Sequence, residues 1–328
     1  MYERFYTIFM KQITVGIDLG GTNTVIGFVD HEGNCLSEIS TLTKEFTEIE
    51  PYMKNLCGLI QTELQKHSDW QLMGIGIGAP NANYHRGTIE EAPNLCWKGT
   101  VHFCKMMQEY FPNAKIAITN DANAAAMGEM IFGAAKGMKD FVVITLGTGL
   151  GSGIVVNGDL VYGHDGFAGE VGHTTAIIDG RQCGCGKKGC LEAYASATGI
   201  VRTMTELMCN SRKPSSLRDI PNSKLTSYDV FKAYQQGDEL AKECFDYTGR
   251  ILGIKLADVV CHTSPSTIFL FGGPAKAGDA IIKPTKASME EHLLPIFKNK
   301  INICLSGLMN TNAAVLGASA LAWKELEK

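Results

Sequence analysis

Asp18-Leu19-Gly20-Gly21-Thr22-Asn23 lies between two apolar runs, Ile13 to Asp18 and about Thr24 to Val29. The reading of that turn decides the fold. Both flanks are short and rich in β-branched residues, as strands are, and His31-Glu32-Gly33-Asn34 supplies the next turn. Because strand leads to strand, the turn is neither a P-loop nor a dinucleotide fingerprint, each of which ends in a helix. It is the tip of a β-hairpin, and two readings of the tip stand. Gly20 and Gly21 supply positive φ angles in a tight hairpin; or their N–H groups approach phosphate oxygens, Thr22 donates its hydroxyl beside Asn23, and Asp18 holds a hydrated magnesium ion.

The pattern then recurs. A second apolar strand, Phe141 to Leu146, meets Gly147-Thr148-Gly149-Leu150-Gly151 and leads into a strand at Gly153 to Val156 and a turn at Asn157-Gly158-Asp159. Asp18-Leu19-Gly20 with Gly27-Phe28-Val29 is matched by Thr145-Leu146-Gly147 with Gly153-Ile154-Val155. The second turn is a second candidate anion cradle, and pairing the two favours phosphate over a mere hairpin for both. After the first hairpin the patterns give a helix beyond Pro51, a strand Gly74 to Ile77 ending in Gly78-Ala79-Pro80, a helix near Val101 to Tyr110 and a strand Lys115 to Thr119. After the second come a polar connection from Ser211 to Ser223 and helices through Val260. A strand Thr267 to Phe271, a Gly272-Gly273-Pro274 turn, a strand near Ile301 to Cys304 and a terminal helix from about Asn312 to Leu326 complete the chain. This alternation predicts an α/β protein of two related domains, 1–120 and 121–311, facing each other across a cleft, with the helix at about 312–328 packing back on the first.

Bulk composition excludes several classes. The chain has 328 residues, 45% hydrophobic and 20% charged, which is that of a globular protein and not a disordered one. Its formal net charge of -4 is spread along the sequence, so no basic stripe points to nucleic acid or an anionic membrane. Met1 to Gln12 lack the pattern of a secretory signal and no apolar run is long enough to span a bilayer, so the expected location is cytoplasmic. In a reducing compartment the scattered Cys35, Cys57, Cys96, Cys104, Cys209, Cys244, Cys261 and Cys304 are ordinary thiols. The remaining three cysteines are clustered.

They form Cys183-Gly184-Cys185-Gly186-Lys187-Lys188-Gly189-Cys190, ten residues after His173. Three thiolates and an imidazole are the four soft ligands of a closed tetrahedral zinc site, although the spacing is not that of a finger or ribbon. With no position left for water, such a metal is structural. Glu170 and Glu192 flank the segment, so both are tethered to it. Each is a candidate grip on paired sugar hydroxyls, or a solvated surface acid. Asn120-Asp121-Ala122-Asn123, where a strand meets an Ala-rich helix, reads as an N-cap; with a sugar hydroxyl nearby, Asp121 becomes a candidate general base.

Together these motifs, with Gly169-Glu170-Val171-Gly172-His173 and Cys190-Leu191-Glu192, resemble the ROK family (repressors, open reading frames, kinases), most closely its bacterial glucokinases. The resemblance runs from about Ile13 to the C-terminus. It implies an actin-like ATPase (ribonuclease H-like) fold, ATP and Mg²⁺ with a hexose in the cleft, one structural Zn²⁺, and a homodimer or larger assembly. It implies Asp121 as general base and Asn94, Asn120, Asp121, Glu170, His173 and Glu192 as sugar contacts. ATP and Mg²⁺ would fall to Asp18, Gly20, Gly21, Thr22, Asn23, Gly147, Thr148, Gly149, Gly151, Gly272 and Gly273, and zinc to His173, Cys183, Cys185 and Cys190. The implied reaction is phosphorylation of a hexose 6-hydroxyl, with glucose ahead of N-acetylmannosamine, allose or fructose. One departure is Gly78-Ala79-Pro80-Asn81, where family members often have glycine last; asparagine tolerates that conformation better than most residues. Met1 to Gln12 precede the usual start, and Met10 is a candidate initiator. The family's repressors are the rival from another class; they carry a helix-turn-helix ahead of the first phosphate-loop strand, for which twelve residues are too few. A non-catalytic zinc scaffold would not need Asp18, Asp121 and two phosphate loops together.

Overall fold

The computed structural model of the chain describes residues 10–309 and 312–328; the first nine residues of the leading stretch lie outside them. The described residues form two compact units.

Unit 1 is built on a five-stranded sheet of order β3-β2-β1-β4-β8. It runs through β1 (Lys11–Leu19), β2 (Thr24–Asp30), β3 (Cys35–Thr41), α1 (Ile49–Lys66) and β4 (Trp70–Gly78). A small antiparallel sheet follows, β5 (Ala82–Asn83), β6 (Thr88–Glu90) and β7 (Thr100–Val101), then α2 (Phe103–Tyr110), β8 (Lys115–Thr119) and α3 (Asp121–Ile131). Strands β1, β2 and β3 are antiparallel neighbours, whereas β1, β4 and β8 run parallel. Helices cover both faces of β1, which is why it reads as a nearly continuous apolar run. On one face Ile13, Val15 and Ile17 join Tyr52, Leu56 and Ile60 of α1 in one core. On the other lies the terminal helix, where the Thr14 hydroxyl meets that of Ser319 at 2.7 Å.

Unit 2 repeats the plan. Its sheet is ordered β11-β10-β9-β12-β13, with β9 (Phe141–Leu146), β10 (Leu150–Val156) and β11 (Asp159–Leu160) antiparallel and β12 (Thr267–Phe271) and β13 (Asn302–Leu305) parallel to β9. Its helices are α4 (Glu192–Ala195), α5 (Ala197–Asn210), α6 (Ser227–Gln235), α7 (Glu239–Thr263) and α8 (Asp279–His292). The last helix, α9 (Ala313–Leu326), follows β13 and packs on β1, β4 and α3.

The units do not part at residue 120. Unit 1 holds the described residues to Lys136 together with Tyr162–Phe167 and 312–328; unit 2 holds Gly137–Val161 and Ala168–Met309. The cause is α3: every residue from Ala122 to Met130 is buried, so the helix needs partners all round and finds one in α9. Tyr162–Phe167 is drawn in by the stacking of Tyr162 on Tyr84, centroids 4.0 Å apart, and by a 2.7 Å bond from Asn83 Nδ2 to the Asp165 carbonyl. β10 also begins earlier than the sequence suggests, at Leu150, which takes Gly151 into the ladder.

Candidate active site and metal centre

In unit 1 the parallel strands end level. Asp18 pairs with Gly78, and Gly78 with Thr119, so the loops after β1, β4 and β8 leave the sheet side by side, the usual ligand-binding edge of an open α/β sheet. The Asp18–Asn23 tip is closed by a 2.9 Å bond from the Gly20 amide to the Asn23 carbonyl. Neither Gly20 nor Gly21 has a positive φ. What Gly21 permits is close approach: a Cβ there would collide with the Asn94 carbonyl. Asn94 is exposed, and its loop is pinned by Trp97, which packs on Tyr52 with centroids 4.6 Å apart and donates its indole N–H to the Phe46 carbonyl at 3.2 Å. Asn81 has φ 50, so asparagine does take the left-handed conformation that glycine would favour there.

Asn120 is the N-cap of α3: its side-chain oxygen accepts the Asn123 amide at 2.7 Å, so what it can offer a ligand is its own NH₂ group. Asp121 opens the helix and accepts the Ala122 amide at 2.9 Å. Burial pushes its carboxyl pKa up, against the pull of that amide. Yet Asp121 is exposed by surface area, so it is a recessed carboxylate, reachable by a ligand and poorly hydrated. Asp18 is pushed up from 3.8 to about 6, first by burial and then by the negative charge of Asp121.

An unfolded aspartate titrates near 3.9. Between about pH 4 and pH 6 the folded chain therefore binds more protons at Asp18 than the unfolded chain, and stability falls as pH rises through that window. Above it the penalty is complete, at most about 3 kcal/mol and less after allowing for partial solvent access. Asp18→Asn should accordingly raise urea stability at pH 7 by roughly 1–2 kcal/mol and lose that advantage near pH 4.

In unit 2 the loop after β9 is closed by the Gly147 amide on the Gly149 carbonyl at 2.9 Å. None of Gly147, Gly149 and Gly151 has a positive φ either. The Gly151 amide is taken by the Thr145 hydroxyl at 3.2 Å and the Leu150 amide by Glu192 Oε2 at 2.9 Å. Of this loop, only the Thr148 and Gly149 amides lack a partner among the described residues, which narrows the candidate anion cradle to them and the Thr148 hydroxyl. Gly272, φ 102, lies against the Leu146 carbonyl and so brings the Gly272-Gly273 turn beside this loop.

The candidate metal ligands converge. The donor atoms of His173, Cys183, Cys185 and Cys190 all lie within 4.8 Å of one another. Cys185 and Cys190 sulfurs are 3.6 Å apart and Cys183 Sγ is 3.8 Å from His173 Nδ1. Zn–S bonds of about 2.3 Å meeting at the tetrahedral angle put sulfurs about 3.8 Å apart. The soft donor set and its spacing thus fit zinc. Lys187 bonds the His173 carbonyl at 2.8 Å, and bridges pair Thr175 with Cys190 and Gln182 with Lys188. Glu170 is exposed just ahead of the cluster.

Sequence reasoning missed Arg181. Its guanidinium makes two bonds to Glu206, at 2.9 and 2.6 Å, and others to the Ala193 carbonyl at 3.0 Å, the Gly199 carbonyl at 3.3 Å and the Thr203 hydroxyl at 3.0 Å, while stacking over the Tyr194 ring. It clamps the cysteine segment to α4 and α5. Nothing in the local sequence marks it, since its partners lie on other elements.

The ROK family profile matches residues 14–325. The chain belongs to the ROK family. It is 36% identical over 312 residues to a glucokinase of Halalkalibacterium halodurans, covering 94% of each chain. A solved ROK family glucokinase of Streptomyces griseus, in complex with glucose and AMPPNP, matches at TM-score 0.78 and 31% identity over 95% of this chain and 99% of that one. A xylose repressor of Caldicellulosiruptor bescii is 27% identical over 95% of this chain and 78% of the repressor. The fold is the actin-like ATPase fold, as its two sheets of one order imply. No helix among the described residues of this ROK protein is long and apolar enough to cross a membrane.

Proposed function

We propose that this protein transfers the γ-phosphoryl group of ATP to the 6-hydroxyl of a hexose, with glucose the first candidate. One observation carries the reading: Asp121, poorly hydrated yet reachable, stands beside Asp18 where the strands of unit 1 end, in a chain with two glycine loops of matching topology.

Asn94, Asn120, Glu170, His173 and Glu192 hold the sugar, and Asp121 accepts the 6-hydroxyl proton as that oxygen attacks the γ-phosphorus. The bond from phosphorus to the β-phosphate oxygen breaks and ADP leaves. A raised pKa makes Asp121 a stronger base than an ordinary carboxylate. The Gly20–Asn23 and Gly147–Gly151 loops and the Gly272-Gly273 turn position the nucleotide. Asp18 would hold hydrated Mg²⁺, which would supply positive charge against the phosphates and against the Asp18–Asp121 repulsion. His173, Cys183, Cys185 and Cys190 bind zinc, whose role is to fix the segment between Glu170 and Glu192. With zinc held there Cys183 would be a thiolate, and Glu192 Oε1, 3.3 Å from that sulfur, would be left to accept from a sugar hydroxyl.

A coupled assay of ADP release over glucose, N-acetylmannosamine, allose, fructose and mannose tests the reading. Turnover should be greatest with glucose. No turnover with any of them, in a protein that still binds one, would favour the sugar-sensing role to which the repressor relatives point.

A further inference from the structure

We propose that Glu192 has a second task besides its sugar contact: its carboxylate sets the shape of the Gly147–Gly151 loop, so that the metal segment and the phosphate loop of unit 2 are held as one piece. The inference rests on the kinase reading of that loop.

Glu192 begins α4, directly after Cys190-Leu191. Its Oε2 accepts the Leu150 amide at 2.9 Å and lies so close to Gly149 that a Cβ there would collide with it. Its Oε1 faces Cys183, one of the four metal donors. One carboxylate therefore touches both segments. Besides the Gly151 amide on the Thr145 hydroxyl, two bonds reach the loop from the start of α5: the Ala197 amide on the Gly147 carbonyl at 2.8 Å and the Thr198 hydroxyl on the Thr148 carbonyl at 3.0 Å. These two and the Glu192 bond all come from the stretch 192–198, and Glu192 supplies the charged one. A hydrogen bond to an ionised acceptor is about twice as strong as a neutral one. By taking the Leu150 amide, Glu192 settles which loop amides remain for a phosphate, namely those of Thr148 and Gly149. It follows that nucleotide affinity depends on Glu192 even when no sugar is present. A residue serving the sugar alone would not behave so.

The test is calorimetric titration of the zinc-loaded protein with magnesium and a non-hydrolysable ATP analogue, in the absence of hexose. Glu192→Ala should weaken binding of the analogue about tenfold or more, the scale of one charge-assisted hydrogen bond. Glu192→Gln keeps a carbonyl oxygen for the Leu150 amide but not its charge, so it should forfeit about half of that free energy, roughly a threefold weakening, while losing hexose affinity. Hydrogen exchange at the Leu150 amide should accelerate strongly in the first variant and much less in the second. If Glu192→Ala does not fold, Glu192→Asp, shorter by one methylene, carries the same expectation. Unchanged analogue affinity and unchanged Leu150 exchange in the shortened variant overturn the proposal and leave the kinase reading intact. A parent chain that does not bind the analogue at all overturns both.

Discussion

Asp121→Asn should lower kcat by about 10²- to 10⁴-fold, the contribution of a positioned general base, with the hexose dissociation constant changed by less than about fivefold. Asparagine keeps the size of the side chain and can still accept the Ala122 amide, so the start of α3 is preserved while proton acceptance is lost. The pH dependence follows from the direction of the pKa shift. Because burial raises the Asp121 carboxyl, the fraction able to accept a proton grows with pH over a range above that of an ordinary aspartate, and kcat should climb with it. The rise should be absent from the residual activity of Asp121→Asn. A variant with near-normal turnover would remove Asp121 from the chemistry and return it to the role of a first-turn helix residue.

Loss of the metal should be the second large effect. Cys190 is fully buried and 3.6 Å from Cys185, and Cys190→Ser replaces a soft thiolate by a hydroxyl that binds zinc poorly. Metal content should fall from about one ion per chain to near zero, and the hexose dissociation constant should rise by about 100-fold or more, the equivalent of losing two charge-assisted hydrogen bonds. Global unfolding should change far less. Arg181 ties the segment to Glu206, Thr203 and the Ala193 carbonyl without help from a metal, and the core of unit 2 is built from α5, α7 and the sheet. Metal analysis, sugar titration and thermal melting on the same preparation separate the two outcomes. Unchanged sugar affinity in a verified zinc-free protein would leave the metal without a part in the pocket.

The largest correction to the sequence reading concerns α3. A strand followed by an N-cap looks like the end of one domain, and so a boundary at residue 120 is natural. What moves it is burial: Ala122–Met130 has no exposed face, and a helix buried all round belongs to whichever core surrounds it. The glycines tell a similar story. Their position in the two turns is plain from the sequence, but the reason for them is not a left-handed backbone. Gly21 and Gly149 are glycine because Asn94 and Glu192, distant in sequence, come within reach of where a Cβ would be. Gly151, read as part of the second cradle, has its amide bound by Thr145 within the ladder.

By itself the sequence determined the class of the fold, the repeated hairpin and the four candidate metal donors. Each is a local matter: strand periodicity, glycine turns, and four donors within eighteen residues whose chemistry admits few other uses. The tertiary structure alone decided which unit owns α3, which amides of the second glycine loop have no partner among the described residues, that Asp18 and Asp121 are close enough to raise a pKa, and that Arg181 and Glu192 bind segments the chain does not place together. Those facts depend on what fills the space beside a residue, and packing brings in neighbours from 40 or more positions away, as Glu192 comes to Leu150.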